Sequence, residues 1–209
     1  MACKWIIGND IFFDIAYDAW QLASPAITLK KIVIPQRSNY EFDLSPLNAL
    51  NPSNGSAFVA VDERFGNFKR MELISAVLHK GFNLPPLISP RAIISSNVEI
   101  GTNTFISDGV IIGYGSHIGN NSILMPGVQI GSKTHIHQSC WIESGVLIGN
   151  NVQIGAHCIL RTGAIIKHEI QIGHYCELGW PQHYDRDIAP KTIFDSRYNA
   201  PIYTYENLA

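Results

Sequence analysis

A histidine followed at once by a glutamate, His168-Glu169, stands within the segment TGAIIKHEIQIG at residues 162–173. An imidazole changes protonation near neutral pH, so it can take a proton from an amine or hydroxyl as that group attacks an electrophile. A carboxylate on the far ring nitrogen fixes the tautomer and steadies the imidazolium. A nearby backbone N–H could hold a developing oxyanion. By itself, the pair is also what a solvated surface histidine beside a surface acid looks like. The other chemistry-bearing residues have plainer readings. His117 and His135 are 18 apart and continue into Gln153 and Gln171, a polar ladder on one face. His137 and His157 could line a cleft, and His79 sits near a helix end, where it favours the last carbonyls. Cys140, Cys158 and Cys176 are also spaced by 18 with no CxxC pair, which reads as a column of small buried residues rather than a zinc site.

The elements that must position these groups follow from a repeat. Every sixth residue from Ile88 to Leu178 is Ile or Leu. The residue four places later is small or β-branched almost throughout, as in Val98, Thr104, Ser122, Cys140 and Ala164. A period of six fits neither a helix nor an alternating strand. It fits a triangular solenoid in which each hexapeptide is one short strand and one corner. Both repeating positions point inward. Gly often follows the aliphatic residue, as at Gly113 and Gly149, and is assigned to corners that demand positive φ. Three hexapeptides make a coil of 18 residues, so the run holds about five coils stacked at strand spacing. His168 lies two residues past Ile166, at a corner, in a column with Asn150, Ser132 and Tyr114, and therefore points outward.

The first 87 residues lack the period. Lys4–Gly8, Lys31–Pro35 and Ala57–Asp62 read as strands. Asp10 can cap a helix whose inner face is Ile11, Phe12, Ile15, Ala16, Ala19 and Leu22. Asn67 can cap a second helix with Phe68, Met71, Ile74, Val77 and Leu78 inward, closed by Gly81. Residues 36–56, rich in Asn, Ser and Pro, read as a loop. The expected organisation is a small α/β domain with a parallel sheet at 1–84, the solenoid at 85–179, and an aromatic-rich tail at 180–209 that covers the open end.

Composition narrows the function classes. Hydrophobic residues are 46%, enough for a substantial core, and charged residues only 15%. The net charge of -2 gives no field for nucleic acid or an anionic membrane. No apolar run reaches a membrane span, and the opening MACKWIIGND does not read as a signal peptide, so a cytoplasmic location is expected.

A small α/β domain followed by PLISPRAIISSNVEIG and then TGAIIKHEIQIG resembles the bacterial sialic acid O-acetyltransferases and the nucleotide-amino-sugar N-acetyltransferases, over roughly residues 4–181. The resemblance implies a Rossmann-like first domain, a left-handed parallel β-helix and a homotrimer. It implies transfer of an acetyl group from acetyl-CoA to an amino or hydroxyl group of a nucleotide-linked sugar, in surface polysaccharide biosynthesis, with no metal. His168 is implied as the general base and Glu169 as the acid that orients it. The sugar nucleotide is implied near Gly8, Asn9 and Asp10 and near Asp62 and Glu63. Coenzyme A is implied near Gly173, Glu177, Gly179 and Trp180, with His174 and His183 at the same end. The chain departs from the family pattern in three places. Bulky Ile11, Phe12 and Phe13 follow Gly8 where the family has a Gly-rich turn. Glu177 stands where the family often has a second His. The repeat also stops soon after His168. A non-catalytic assembly protein on the same scaffold is the alternative. A zinc-dependent carbonic anhydrase of this fold would need a set of three histidines that His117, His135 and His137 do not supply.

Overall fold

A computed structural model of the chain describes residues 3–37, 41–64 and 67–204. It divides into two compact units between Ser89 and Pro90, five residues beyond the expected boundary.

The first unit is the α/β domain. Strands β1 (Cys3–Gly8), β2 (Thr28–Val33) and β3 (Gly55–Ala60) form a parallel sheet in the order β2-β1-β3. Helix α1 (Ile11–Ala23) joins β1 to β2, and α2 (Phe68–His79) follows β3. The central strand buries Trp5, Ile6 and Ile7 as a continuous apolar run, as a strand covered on both faces must. Within the expected 36–56 loop, short 3-10 turns form at Ser45–Ala49 and Pro52–Asn54, and Leu47 is buried.

Both helices are rotated from the expected face, keeping Phe12 and Ala16 of α1 and Ile74 and Val77 of α2 inward as expected but not the rest. In α1 the buried residues are Phe12, Phe13, Ala16 and Trp20, while Ile11 is 76% and Leu22 64% exposed and Ile15 is also exposed. Aromatic area decides this rotation. Trp20 packs edge-on against Phe58 at 6.3 Å, and two phenylalanines bury more surface than the aliphatic stripe would. In α2 the buried residues are Arg70, Leu73, Ile74 and Val77, and Phe68 and Leu78 are exposed. Asn67 does not cap α2 with its side chain; its backbone is left-handed, φ 70°. Asp10 does cap α1, accepting the Phe13 N–H at 3.2 Å.

Lys4, on β1, is buried with its ammonium 3.3 Å from the Trp20 ring centroid. Burial pushes its pKa from 10.5 down to about 8. Between those two values the unfolded chain holds a proton that the folded chain has lost, so stability rises with pH across that window. Below the window the folded state carries the whole penalty, of order 3 kcal/mol. Lys4→Met is therefore expected to raise stability at pH 7 by about 1–3 kcal/mol and to flatten the rise between pH 8 and 10. Urea midpoints at the two pH values check this.

The second unit is a left-handed parallel β-helix. Its strands are two or three residues long and stack into three sheets, parallel but for the final strand, one per face of a triangular prism. Residues 18 apart pair directly, as Ile130 with Ile148, Ile136 with Ile154, and Ile142 with Leu160. The repeating aliphatic and small residues form one continuous interior. The corners correct one expectation. The glycines that directly follow the aliphatic residue do not have positive φ. They are needed because the coils approach too closely for a side chain: a Cβ on Gly113 would lie 2.5 Å from the Ser132 backbone nitrogen. Positive φ falls two residues later, at Gly145 and at non-glycines such as Asn151 and Glu169.

The tail is a sixth coil. His183–Tyr184 pairs with Ile165–Ile166, Ile188 with Ile172, and Ile193–Phe194 with Glu177–Leu178. Ile166 and Tyr184 keep the 18-residue step, but Ile172 to Ile188 and Leu178 to Phe194 are 16 apart, so a shortened corner hides this coil from the sequence period. Ile202–Tyr203 then runs antiparallel to Thr192–Ile193. Trp180 and Phe194 close the interior, edge to face at 5.1 Å. The reversal ends the parallel stack, as an exposed sheet end requires.

Candidate active site

The corner after Ile165–Ile166 carries Lys167, His168 and Glu169, all exposed. Its geometry comes from the coil below. The Asn150 N–H donates to His168 Nδ1 at 2.8 Å. The same position one coil lower is filled by Asn150, whose Oδ1 accepts the Ser132 N–H at 2.8 Å. The corner thus needs a side-chain acceptor aimed at the preceding coil, and His168 supplies it with a ring nitrogen. Gly149 leaves the room: a Cβ there would lie 2.9 Å from His168 Nδ1 and 2.7 Å from its backbone nitrogen. Glu169 follows in left-handed backbone, φ 64°, and its N–H donates to the Asn150 carbonyl at 2.9 Å. No hydrogen bond joins the Glu169 carboxylate to the His168 ring among the described residues. Lys167 pairs with Asp185 at 3.4 Å.

Beside His168 a groove of about 350 Å³ runs down the face over Ile165, Leu147, Gln129 and Ile111, floored by Gly131 and Gly149. Ile93, Ile111 and Leu147 are exposed along this face, an apolar stripe next to a polar corner.

The residues implied for coenzyme A are mostly tied to coil packing. A Cβ on Gly173 would lie 2.3 Å from the Pro190 nitrogen, and one on Gly179 2.3 Å from the Phe194 oxygen. Trp180 closes the interior, and its N–H donates to Tyr184 Oη at 3.2 Å. Glu177 accepts from Arg161 Nε at 2.8 Å, while the other end of Arg161 donates to Glu143 at 2.7 Å. Near them the His157 and Tyr175 rings stack at 4.8 Å, with His174 edge-on to Tyr175.

In the first unit, Gly8, Asn9 and Asp10 leave the carboxyl end of β1, and Asp62 and Glu63 lie two and three residues past the carboxyl end of β3. The chain turns to opposite sides of β1 to form β2 and β3, so this end of the sheet is a topological switch point, where ligands of open α/β sheets bind. Gly8 itself is dictated by packing, since a Cβ would lie 1.9 Å from the Ala60 oxygen. Asp10 accepts the Asp62 N–H at 3.0 Å and meets Arg64 at 3.5 Å; burial raises its pKa against the pull of those contacts. Burial would also raise Asp62, but its hydrogen bonds with Arg64 bring its pKa below the usual value. Arg64 also donates to Gln36 at 3.1 Å. Asn9 Oδ1 is buried with no hydrogen-bond partner among the described residues. The sequence resemblance includes Arg64 only as the end of the Ala60–Arg64 segment, with no role of its own, and does not include Gln36. The signal for Arg64 was available, as a cation directly after the Asp62-Glu63 pair at a strand end. Gln36 had none.

The remaining histidines and cysteines are placed plainly. His117 and His135 are register partners with rings 6.0 Å apart, and His117 Nδ1 lies 3.1 Å from Glu99 Oε2. Cys140, Cys158 and Cys176 are buried thiols, each donating to a carbonyl of the next coil at 3.2, 3.1 and 3.2 Å. Among the described residues no group of three or more His, Cys, Asp or Glu is arranged to hold a metal ion.

Residues 133–168 match the family model described as Bacterial transferase hexapeptide (six repeats). No curated protein matches the chain in sequence. Among solved structures, the chain is similar to a perosamine N-acetyltransferase of Caulobacter crescentus, solved as a mutant with CoA and GDP-perosamine, at 22% identity and TM-score 0.80, covering 92% of this chain and 93% of that one. It is also similar to the acetyltransferase domain of PglB from Neisseria gonorrhoeae with acetyl coenzyme A, at 20% identity and TM-score 0.82, covering 96% and 98%. The chain thus carries the bacterial transferase hexapeptide repeat and, over nearly its whole length, the fold of these two acetyltransferase structures.

Proposed function

We propose that this protein transfers the acetyl group of acetyl-CoA to an amino (or hydroxyl) group of a nucleotide-linked sugar, for a cytoplasmic step of surface polysaccharide biosynthesis. The observation that carries the reading is His168, held outward at a corner by the Asn150 N–H beside an open groove. The acceptor's nucleotide would lie at the switch point of the first unit, near Gly8, Asn9, Asp10, Asp62 and Glu63, with Arg64 as a further cation for its phosphates. His168 would meet the reacting atoms, with Glu169 beside it. The donor would lie toward the last coils, by Gly173, Glu177, Gly179 and Trp180. The solved relative that holds CoA and GDP-perosamine together supports this pairing of ligands.

The groove is open on one side and carries an exposed apolar stripe, which a second copy of the prism would cover; a homotrimer closes three such faces at once. The shortened sixth coil favours one other reading, a non-catalytic assembly protein that has lost its donor site. The deciding experiment is thiol release from acetyl-CoA with a panel of UDP-, dTDP- and GDP-linked 3-amino and 4-amino sugars. Release with one of them is expected and identifies the base. Silence across the panel with no CoA binding by calorimetry gives the non-catalytic reading the lead.

A further inference from the structure

The first turn of a helix is a seat for anions, because its free N–H groups and the positive end of its dipole point the same way. In α1 that seat is filled from within the chain. Asp10 Oδ1 accepts the Phe13 N–H at 3.2 Å. Oδ2 accepts the Asp62 N–H at 3.0 Å and meets Arg64 Nη2 at 3.5 Å. The Asp10 side chain is only 6% exposed, so its carboxylate is a built part of the strand-end turn and not a surface group. A phosphate brought to α1 would have to displace that carboxylate or lie against it, charge to like charge. Arg64 does not stand free to offset this. Its Nε and Nη2 donate to Asp62 at 2.5 and 2.7 Å, and its Nη1 donates to Gln36 at 3.1 Å.

What the same turn offers is hydrogen-bond acceptors. Asn9 Oδ1 is buried with no partner among the described residues, and a buried acceptor is costly until something donates to it. Asp10, Asp62 and Glu63 leave the carboxyl ends of β1 and β3, at the same end of the sheet. Acceptors of this kind fit hydroxyl and N–H groups, as a carboxylate near a strand end fits the hydroxyls of a ribose.

We propose that Asp10 determines which part of a ligand this end of the sheet takes: its carboxylate occupies the anion seat of α1, so the site binds the hydroxyl and N–H groups of a ribose and its base and holds the phosphates off the helix. This rests on the nucleotide-sugar reading above and adds that the diphosphate contributes little to affinity. Any phosphate contact is left to Arg64, which must first loosen from Asp62.

Two measurements on the full-length chain test this. In the first, inorganic pyrophosphate is titrated into 15N-labelled wild type and Asp10→Ser, and the backbone amides of Ile11, Phe12 and Phe13 are followed. Ser keeps a cap for the Phe13 N–H and removes the charge. Wild type is expected to show no shift at these amides up to about 1 mM, and Asp10→Ser to shift them with an affinity at least about tenfold tighter. Saturable shifts in wild type overturn the inference, whether or not the variant folds; no shift in a folded Asp10→Ser overturns it as well. In the second, calorimetry compares uridine, thymidine and guanosine with their diphosphates. In wild type the nucleoside that binds and its diphosphate are expected to agree within about threefold, while Asp10→Ser favours the diphosphate by about tenfold. A wild-type preference for the diphosphate above about tenfold overturns the inference. If no nucleoside or nucleotide binds either protein, the nucleotide reading fails, while the pyrophosphate titration still decides what Asp10 does.

Discussion

Replacing His168 with alanine is expected to lower turnover about 10²–10³-fold and to leave the fold intact. The side chain is exposed, so its removal leaves no cavity, and water can take over the Asn150 N–H that Nδ1 now accepts. Any stability change is expected to stay within about 1 kcal/mol, the usual worth of one exposed hydrogen bond. Initial rates of thiol release, read beside the urea midpoint and the oligomeric mass, separate lost chemistry from lost structure. Unchanged turnover would remove His168 from the reacting centre and, with it, the main support for the enzyme reading.

The second large effect lies in the interior, where two neighbouring residues are expected to behave in opposite ways. Ile148 is 5% exposed and belongs to the continuous solenoid core, while Leu147, one residue earlier, is 37% exposed on the groove face. Ile148→Ala removes three carbons from a close-packed column whose neighbours, Ile130 and Ile166, are fixed by the backbone ladder, so the gap cannot collapse. A cost of about 3 kcal/mol is expected, seen as a lower urea midpoint with an unchanged slope. Leu147→Ala is expected to cost less than about 1 kcal/mol in the folded chain. Its effect is expected instead in light scattering, as a shift toward smaller species, because Leu147 belongs to the apolar stripe proposed to meet another copy. Equal destabilisation by both substitutions would mean that the two faces of the strand are not distinct.

The period of six determined the solenoid, its interior columns and the outward direction of His168. The reason is physical: a coil closes every 18 residues only if every sixth side chain points inward, so composition at fixed spacing is already three-dimensional information. The order of strands and helices in the first 87 residues was legible for a similar reason, since β1 carries the buried apolar run Trp5–Ile7 and Asp10 is a sound helix cap. The helix faces were not legible. α1 offers two candidate stripes, and only the presence of Phe58 opposite Trp20 decides between them. The sixth coil was hidden because a corner two residues shorter breaks the spacing while the sheets continue through Tyr184, Ile188 and Phe194. The glycines beside the aliphatic positions were correctly located but wrongly explained, because the distance between adjacent coils is a property of the stack and not of the hexapeptide. The same holds for the site. The sequence by itself determined that His168 and Glu169 share an outward corner. Only the tertiary structure decided which ring nitrogen is occupied, because the partner that occupies it is a backbone N–H 18 residues away, on the coil below.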